Sequence, residues 1–224
     1  MKKRINTIIN MIPPGAKKIV DVACDHGLIG IQAYNLDHIK AVICSDINDN
    51  ALAAAKGNVK RENLDIECRI SDGLKEIDKK EFDVAIIAGL GSKAITQIVK
   101  DSLPKLTNKK IIISTNDNLY KLRKFMNKNG FVVEQEKLVK ENNVIYTVIL
   151  YIPADFIEEE LREEQLYFGP KLLSEKHDLL FEVIDNEIEK VDGILKILPP
   201  KYFIKQLRLR SRKAYLKRLK RKLS

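Results

Sequence analysis

The sequence predicts an α/β fold, a mostly parallel sheet followed by a small all-α appendage. Three observations carry this expectation. Short apolar runs alternate with amphipathic stretches up to residue 152, two β-rich runs around residue 140 lie too close together for a crossover helix, and strand signals stop after Pro153. At 224 residues, 45% hydrophobic and 32% charged, the chain can hold one well-buried domain and an appendage. A sheet domain over 1–152 and a helical hairpin over 153–224 are therefore expected.

Parallel strands are predicted at Lys18–Ala23, Ala41–Asp46, Asp65–Ile70, Phe82–Ala88 and Lys110–Ser114, each bounded by polar or turn residues. Helix-compatible segments lie between them, around Leu28–Asn35, Asn50–Glu62, Ser92–Leu103 and Leu119–Asn129, the last stopped by Gly130. Phe131–Val139 and Asn143–Ile152, separated by Lys140-Glu141-Asn142, form an antiparallel hairpin. Beyond Pro153, Phe168-Gly169-Pro170 reads as a turn entering a long helix over Ser174–Leu198. Its apolar residues Leu180, Ile184, Ile188, Val191, Leu195 and Leu198 make a seam of coiled-coil type. Pro199-Pro200 ends that helix, and a second runs from Tyr202 to Leu223, giving an αα-hairpin. His177, between Lys176 and Asp178, reads as a solvated histidine.

Composition excludes several classes of protein. No apolar run is long enough to cross a bilayer, and the opening Met1-Lys2-Lys3-Arg4 leads into an amphipathic stretch rather than a signal-peptide core, so a cytoplasmic location is expected. Cys24, Cys44 and Cys68 are odd in number and lack C-x-x-C spacing; they read as small buried residues, and neither a disulfide framework nor a metal is expected. The net charge of +9 is unevenly spread. Residues 153–198 hold 13 acidic against 5 basic side chains, and residues 199–224 hold 11 basic and none acidic. That basic cluster fits a nucleic-acid backbone, and it fits equally an acidic helix folded back upon it.

The chemistry concentrates at strand ends. Asp21-Val22-Ala23-Cys24-Asp25-His26-Gly27-Leu28-Ile29-Gly30 runs from the first strand through a loop into a helix, at a place where open α/β sheets collect ligands. Two carboxylates and a histidine are unsuited to cradling phosphates, and neither G-x-G-x-x-G nor a P-loop occurs. A cofactor bearing a positive sulfonium tolerates acidic neighbours, which favours S-adenosylmethionine. Asp46 ends the second strand, where a carboxylate can accept hydrogen bonds from ribose hydroxyls. Asp72-Gly73 follows the third strand and suits an adenine amino group. Ala88-Gly89-Leu90-Gly91-Ser92 follows the fourth, where glycine permits close approach of a planar base and a helix N-terminus is expected to offer free N–H groups. Asn116 ends the fifth and suits a base edge. The Asn-Pro-Pro-aromatic motif of many amino-methylating enzymes is absent.

In order and spacing, Asp21 to Gly30, Ser45-Asp46-Ile47-Asn48, Ser71-Asp72-Gly73-Leu74, Ile87-Ala88-Gly89-Leu90-Gly91 and Thr115-Asn116 resemble the bacterial TrmK family, tRNA adenine-22 N1-methyltransferases. The likeness spans essentially the whole chain. It implies a Rossmann-like class I methyltransferase sheet, five parallel strands plus a hairpin, with a helical hairpin that contacts tRNA. It implies S-adenosylmethionine held by Asp21, Ala23, Asp46, Ile47, Asp72, Gly73, Ala88 and Gly89, and a target base handled by Asp25, His26 and Asn116. Arg4 lies near the substrate on this reading, and Arg208, Arg210, Arg212, Lys213, Lys217 and Arg218 are the candidates for gripping RNA. The family's first loop has glycine, tyrosine and proline where this chain has Ala23, Leu28 and Gly30, and Gln-Pro where it has Ser114-Thr115. A monomer is expected, although the helical seam would also suit a second subunit. The alternatives are a methyltransferase for another RNA, DNA or a small molecule, and a non-catalytic RNA-binding relative.

Overall fold

The computed structural model describes residues 2–154 and 160–224. Five strands run parallel: β1 (Lys18–Val22), β2 (Ala41–Asp46), β3 (Glu67–Ile70), β4 (Val84–Ala88) and β5 (Lys110–Thr115). With β6 (Phe131–Glu141) and β7 (Val144–Pro153) they form one seven-stranded sheet in the order β3-β2-β1-β4-β5-β7-β6, the last two antiparallel. The central strands read as continuous apolar runs because both faces are covered. Ile19, Val42, Ile86 and Ile112 pack on one face with Ile8 of α1 (Lys3–Asn10), Ile31 of α2 (Leu28–Tyr34) and Leu52 of α3 (Asp49–Arg61). Val20, Ile43, Ala85 and Ile113 face the other way, toward Ile95 of α4 (Ser92–Leu106) and Leu122 of α5 (Leu119–Lys128). The strand order reverses between β1 and β4, which opens a crevice at their carboxyl ends.

Several details differ from the sequence reading. The opening amphipathic stretch folds as α1, burying Ile5 and Ile8. The hairpin turn is shorter than expected: Lys140 and Glu141 stay in β6, paired with Ile145 and Val144, and only Asn142 and Asn143 turn. Both carry positive φ, 49° and 61°, the signature of a type I′ turn. Helix α4 continues to Leu106 with Pro104 inside it.

The chain divides into two compact units, Met1–Lys171 and Leu172–Ser224, so the division falls well beyond Pro153. The segment around α6 (Glu163–Phe168) stays with the sheet because Arg123 reaches it. The Arg123 guanidinium, 1% exposed, donates from Nε to Glu136 Oε1 at 2.8 Å and from Nη1 to the carbonyls of Leu166 and Tyr167 at 3.0 and 3.2 Å. Gly169, at φ 90°, lies against the Glu136 carboxylate so closely that a Cβ there would collide with it.

After the short α7 (Pro170–Ser174), the second unit contains α8 (Asp178–Ile197), a 3-10 turn (Pro200–Tyr202) and α9 (Phe203–Leu223). Leu180, Ile184 and Val191 of α8 are buried, as are Leu216, Leu219 and Leu223 of α9. His177 is half-buried and caps α8, its Nδ1 accepting the Leu179 N–H at 3.3 Å. Among the described residues no helix is long and apolar enough to cross a membrane.

Candidate active site

A cavity of about 650 Å³ opens at the carboxyl ends of β1 to β4, well sized for a nucleotide-like ligand. The sheet delivers one acid to it at each of three strand ends, Asp21, Asp46 and Asp72. They differ in their surroundings. Asp21 lies 1% exposed at the end of β1, where its Oδ2 accepts the Gly30 N–H at 3.0 Å. Burial pushes its pKa up to about 7; the Gly30 bond opposes this and the charge of Asp46 adds to it. Asp46 is also buried, and each of its oxygens accepts one backbone N–H, from Asp25 at 3.1 Å and from Asn48 at 2.9 Å. A carboxylate offers about four lone-pair sites, so both oxygens retain capacity for a diol. Asp72 is exposed and paired with Lys75. Next to it Gly73, at φ 61°, leaves room for Ile98, which a Cβ would approach to 3.0 Å.

The first loop is held in an unusual backbone conformation. Ala23 and Asp25 both have positive φ, 56° and 49°, a region that costs ordinary residues energy. That conformation turns the Asp25 N–H toward Asp46 while its carboxylate stays open to solvent. Asp25 and His26 side chains are 71% and 60% exposed, with His26 Nε2 3.7 Å from Asp25 Oδ2. They stand at the rim, whereas Asp21 lies buried beneath.

A smaller recess of about 180 Å³ adjoins the cavity, sharing Arg4, Gly89 and Leu90 with it. Asn116 lines this recess rather than the larger cavity, together with Tyr146 and Thr115. The Arg4 guanidinium lies 4.6 Å from the centre of the Tyr146 ring. Thr115 Oγ1 donates to the Leu90 carbonyl at 3.0 Å, tying the loops after β4 and β5 together. The start of α4 does not offer the free N–H expected at Ser92: its N–H and Oγ–H both donate to Asp117 Oδ2, at 3.0 and 2.8 Å.

Ala23, Ile47, Ala88 and Gly89 also line the cavity. Sequence reasoning missed Ser71, Gln97 and Lys2 in the cavity and Tyr146 in the recess. Ser71 carried a signal in its position before Asp72; Tyr146 carried none, since it reads as one more strand aromatic. Cys24 and Cys44 are buried, and Cys68 is half-buried, its thiol held below the usual range chiefly by the neighbouring Cys44. Among the described residues no group of three or more His, Cys, Asp or Glu is arranged to hold a metal ion. In the helical unit, Arg208, Arg210, Lys217 and Arg218 are exposed, while Arg212 pairs with Glu187 at 3.3 Å and Lys213 with Asp192 at 2.5 Å.

A family model described as TrmK, tRNA (adenine(22)-N(1))-methyltransferase, matches residues 19–222. The chain belongs to the TrmK family. A Mycoplasma pneumoniae relative is 33% identical over 177 residues, covering 78% of this chain and 82% of its own. The Bacillus subtilis tRNA (adenine(22)-N(1))-methyltransferase is 26% identical over 200 residues, covering 87% and 84%. Among solved structures, M. capricolum TrmK in complex with the cofactor product S-adenosyl-homocysteine superposes with a TM-score of 0.86 at 26% identity, covering 100% of this chain and 99% of that one. The TrmK match includes both the sheet unit and the helical unit.

Proposed function

We propose that this chain methylates N1 of adenine 22 in tRNA from S-adenosylmethionine, with the cofactor in the larger cavity and the target base entering the adjoining recess. The observation that carries the reading is the convergence of three strand-end acids on one cavity that shares Arg4, Gly89 and Leu90 with a recess lined by Asn116 and Tyr146. The residues fit the cofactor. Asp46 has capacity for both ribose hydroxyls, Asp72 faces the cavity with an acceptor for an amino group, and Asp21 places negative charge at its buried floor.

S-adenosylmethionine supplies an electrophilic methyl group on a sulfonium. Adenine N1 carries a free lone pair at neutral pH, so no strong base is needed to start the attack. Orientation and charge placement are left to the protein. Asn116 offers an amide donor and acceptor to the base edge, the Arg4–Tyr146 pair walls the recess, and the rim carboxylate of Asp25 offsets the positive charge that develops on the methylated base. His26, close to Asp25, assists in holding the base. N1 lies on the pairing edge, so the adenine has to leave its stack to reach the recess. Arg208, Arg210, Lys217 and Arg218 hold the RNA backbone meanwhile, with Arg212 and Lys213 committed to the hairpin's own acids. The chain works as a cytoplasmic monomer, its helical seam filled by its own two helices.

The test is Asp25→Ala, with cofactor affinity and single-turnover methylation of a tRNA transcript measured separately and the product nucleoside identified. Turnover should fall at least about tenfold at saturating cofactor while cofactor affinity holds. Unchanged turnover removes Asp25 from catalysis, and label in a nucleoside other than 1-methyladenosine refutes the substrate assignment.

A further inference from the structure

The end of the helical hairpin where α8 turns into α9 is built unlike the rest of it. Ile184, Val191, Leu216 and Leu219 are at most 5% exposed. Asp185–Lys220, Glu187–Arg212 and Asp192–Lys213 ion pairs flank that sealed stretch. Past Asp192 the seam opens. Ile197, Phe203 and Ile204 are 81%, 62% and 67% exposed, and Ile194, Tyr202 and Leu207 are each at least 40% exposed. Scattered apolar side chains on a surface are ordinary, but six of them gathered at one turn mark a surface that something covers.

Charge narrows what that is. No Asp or Glu occurs after Asp192, and Lys196, Lys201, Lys205, Arg208 and Arg210 interleave with the apolar residues, all of them exposed. Protein–protein interfaces deplete lysine at their apolar centres. Aromatic rings interleaved with Lys and Arg are what unpaired nucleic-acid bases and their phosphates require. The Lys201 ammonium lies 5.4 Å from the centre of the Tyr202 ring, so the two kinds of group share one surface. The backbone beneath is fixed. Pro199 and Pro200 restrict φ, the Tyr202 N–H donates to the Pro199 carbonyl at 3.0 Å, and Gln206 Nε2 donates to the Leu198 carbonyl at 2.9 Å. Rings presented on a stiff turn lose little freedom when they are covered.

We infer that the hairpin tip is a stacking platform for unpaired bases of the RNA substrate, with Tyr202 and Phe203 supplying the rings and Lys201, Lys205 and Arg208 the adjoining phosphate contacts. It rests on the reading that the hairpin holds tRNA, and it adds a second mode of grip. The basic side chains along α9 supply attraction that salt screens, and the tip supplies contacts that salt scarcely touches.

The experiment measures tRNA-transcript affinity of the full chain over a salt series. Tyr202→Leu/Phe203→Leu keeps apolar bulk and removes the rings; binding should weaken by about tenfold with the salt slope unchanged. Lys205→Gln/Arg208→Gln should flatten the slope by about two phosphate contacts. Circular dichroism and S-adenosylmethionine affinity should match wild type in both, which shows that the units remain folded. If the leucine variant binds like wild type while the glutamine variant weakens, the stacking inference fails and the hairpin reading stands. If neither weakens, both fail. A dimer in sedimentation that Tyr202→Ser/Phe203→Ser dissolves, with tRNA affinity intact, assigns the patch to a second copy of the chain and overturns the inference.

Discussion

Asp21→Asn separates the binding role of the cavity floor from its cost to the fold. In the free protein the Asp21 carboxyl is nearly inaccessible, and burial raises its pKa to about 7. A cation bound in that cavity favours the ionised form, so binding of S-adenosylmethionine below pH 7 expels the Asp21 proton. For one linked proton the affinity follows the ionised fraction, which is about tenfold larger at pH 8 than at pH 6 for a pKa of about 7. Calorimetric titration over that range, in buffers of differing ionisation enthalpy, reads both the affinity and the proton released. Asp21→Asn keeps an acceptor for the Gly30 N–H and cannot titrate, so its affinity should be weak and flat with pH. The same group predicts the opposite sign for stability. A carboxyl whose folded pKa is raised contributes stability that is full below about pH 4 and lost as pH rises through about 7. Asp21→Asn should therefore raise the melting temperature at pH 8 and change it little at pH 4. A wild-type affinity that is flat from about pH 6 to pH 8, or a variant that keeps the wild-type slope, refutes the assignment of this charge to the cofactor.

Two further substitutions test the frame around the site. Arg123→Ala leaves the Glu136 carboxylate buried and two carbonyls without their donor, and should cost about 3–5 kcal/mol in urea unfolding; a loss under about 1 kcal/mol would mean that the segment at α6 is held by other contacts. Ala23→Gly relieves a left-handed residue at φ 56°. The relief of about 1–2 kcal/mol is set against an added chain entropy of about 0.5–1 kcal/mol, so unfolding should show a gain of up to about 1.5 kcal/mol. Destabilisation would show that the alanine methyl is packed rather than strained.

What the sequence made legible, and what it hid, follows from the range of the interactions concerned. The central parallel strands could be read because strands buried on both faces are written as apolar runs, and β4 and β5 are buried along nearly their whole length. Asp21, Asp46 and Asp72 could be read because each lies within two residues of the end of a predicted strand, which puts it near the carboxyl edge of the sheet wherever the strand is placed. The hairpin was legible, but its turn was one residue too long in the reading. Asn142-Asn143 lacks the Asn-Gly or Asp-Gly pairing that announces a type I′ turn, and asparagine reaches positive φ by a weaker preference. Helix α1 escaped because two buried isoleucines in eight residues make too short a periodic signal.

The remaining errors share one cause, a polar group satisfied by a partner distant in the chain. Arg123 and Glu136 each occupy a position that local pattern assigns to solvent, yet each is buried because the other is there, and together they hold the segment at α6 on the sheet. That is why the division between units falls beyond Lys171 and not at the proline. The N-terminus of α4 reads from the sequence as offering free N–H groups; the partner of Ser92 is Asp117, 25 residues on, brought there because β4 and β5 are neighbours. The same reasoning applies to the basic helix. Arg212 and Lys213 follow Leu209 by three and four residues, on the seam side of α9 where the acids of α8 reach them, whereas Arg208 and Arg210 stay exposed. Acidic side chains end at Asp192, so the pairing ends there too, and the exposed cations fall beside the exposed rings of Tyr202 and Phe203.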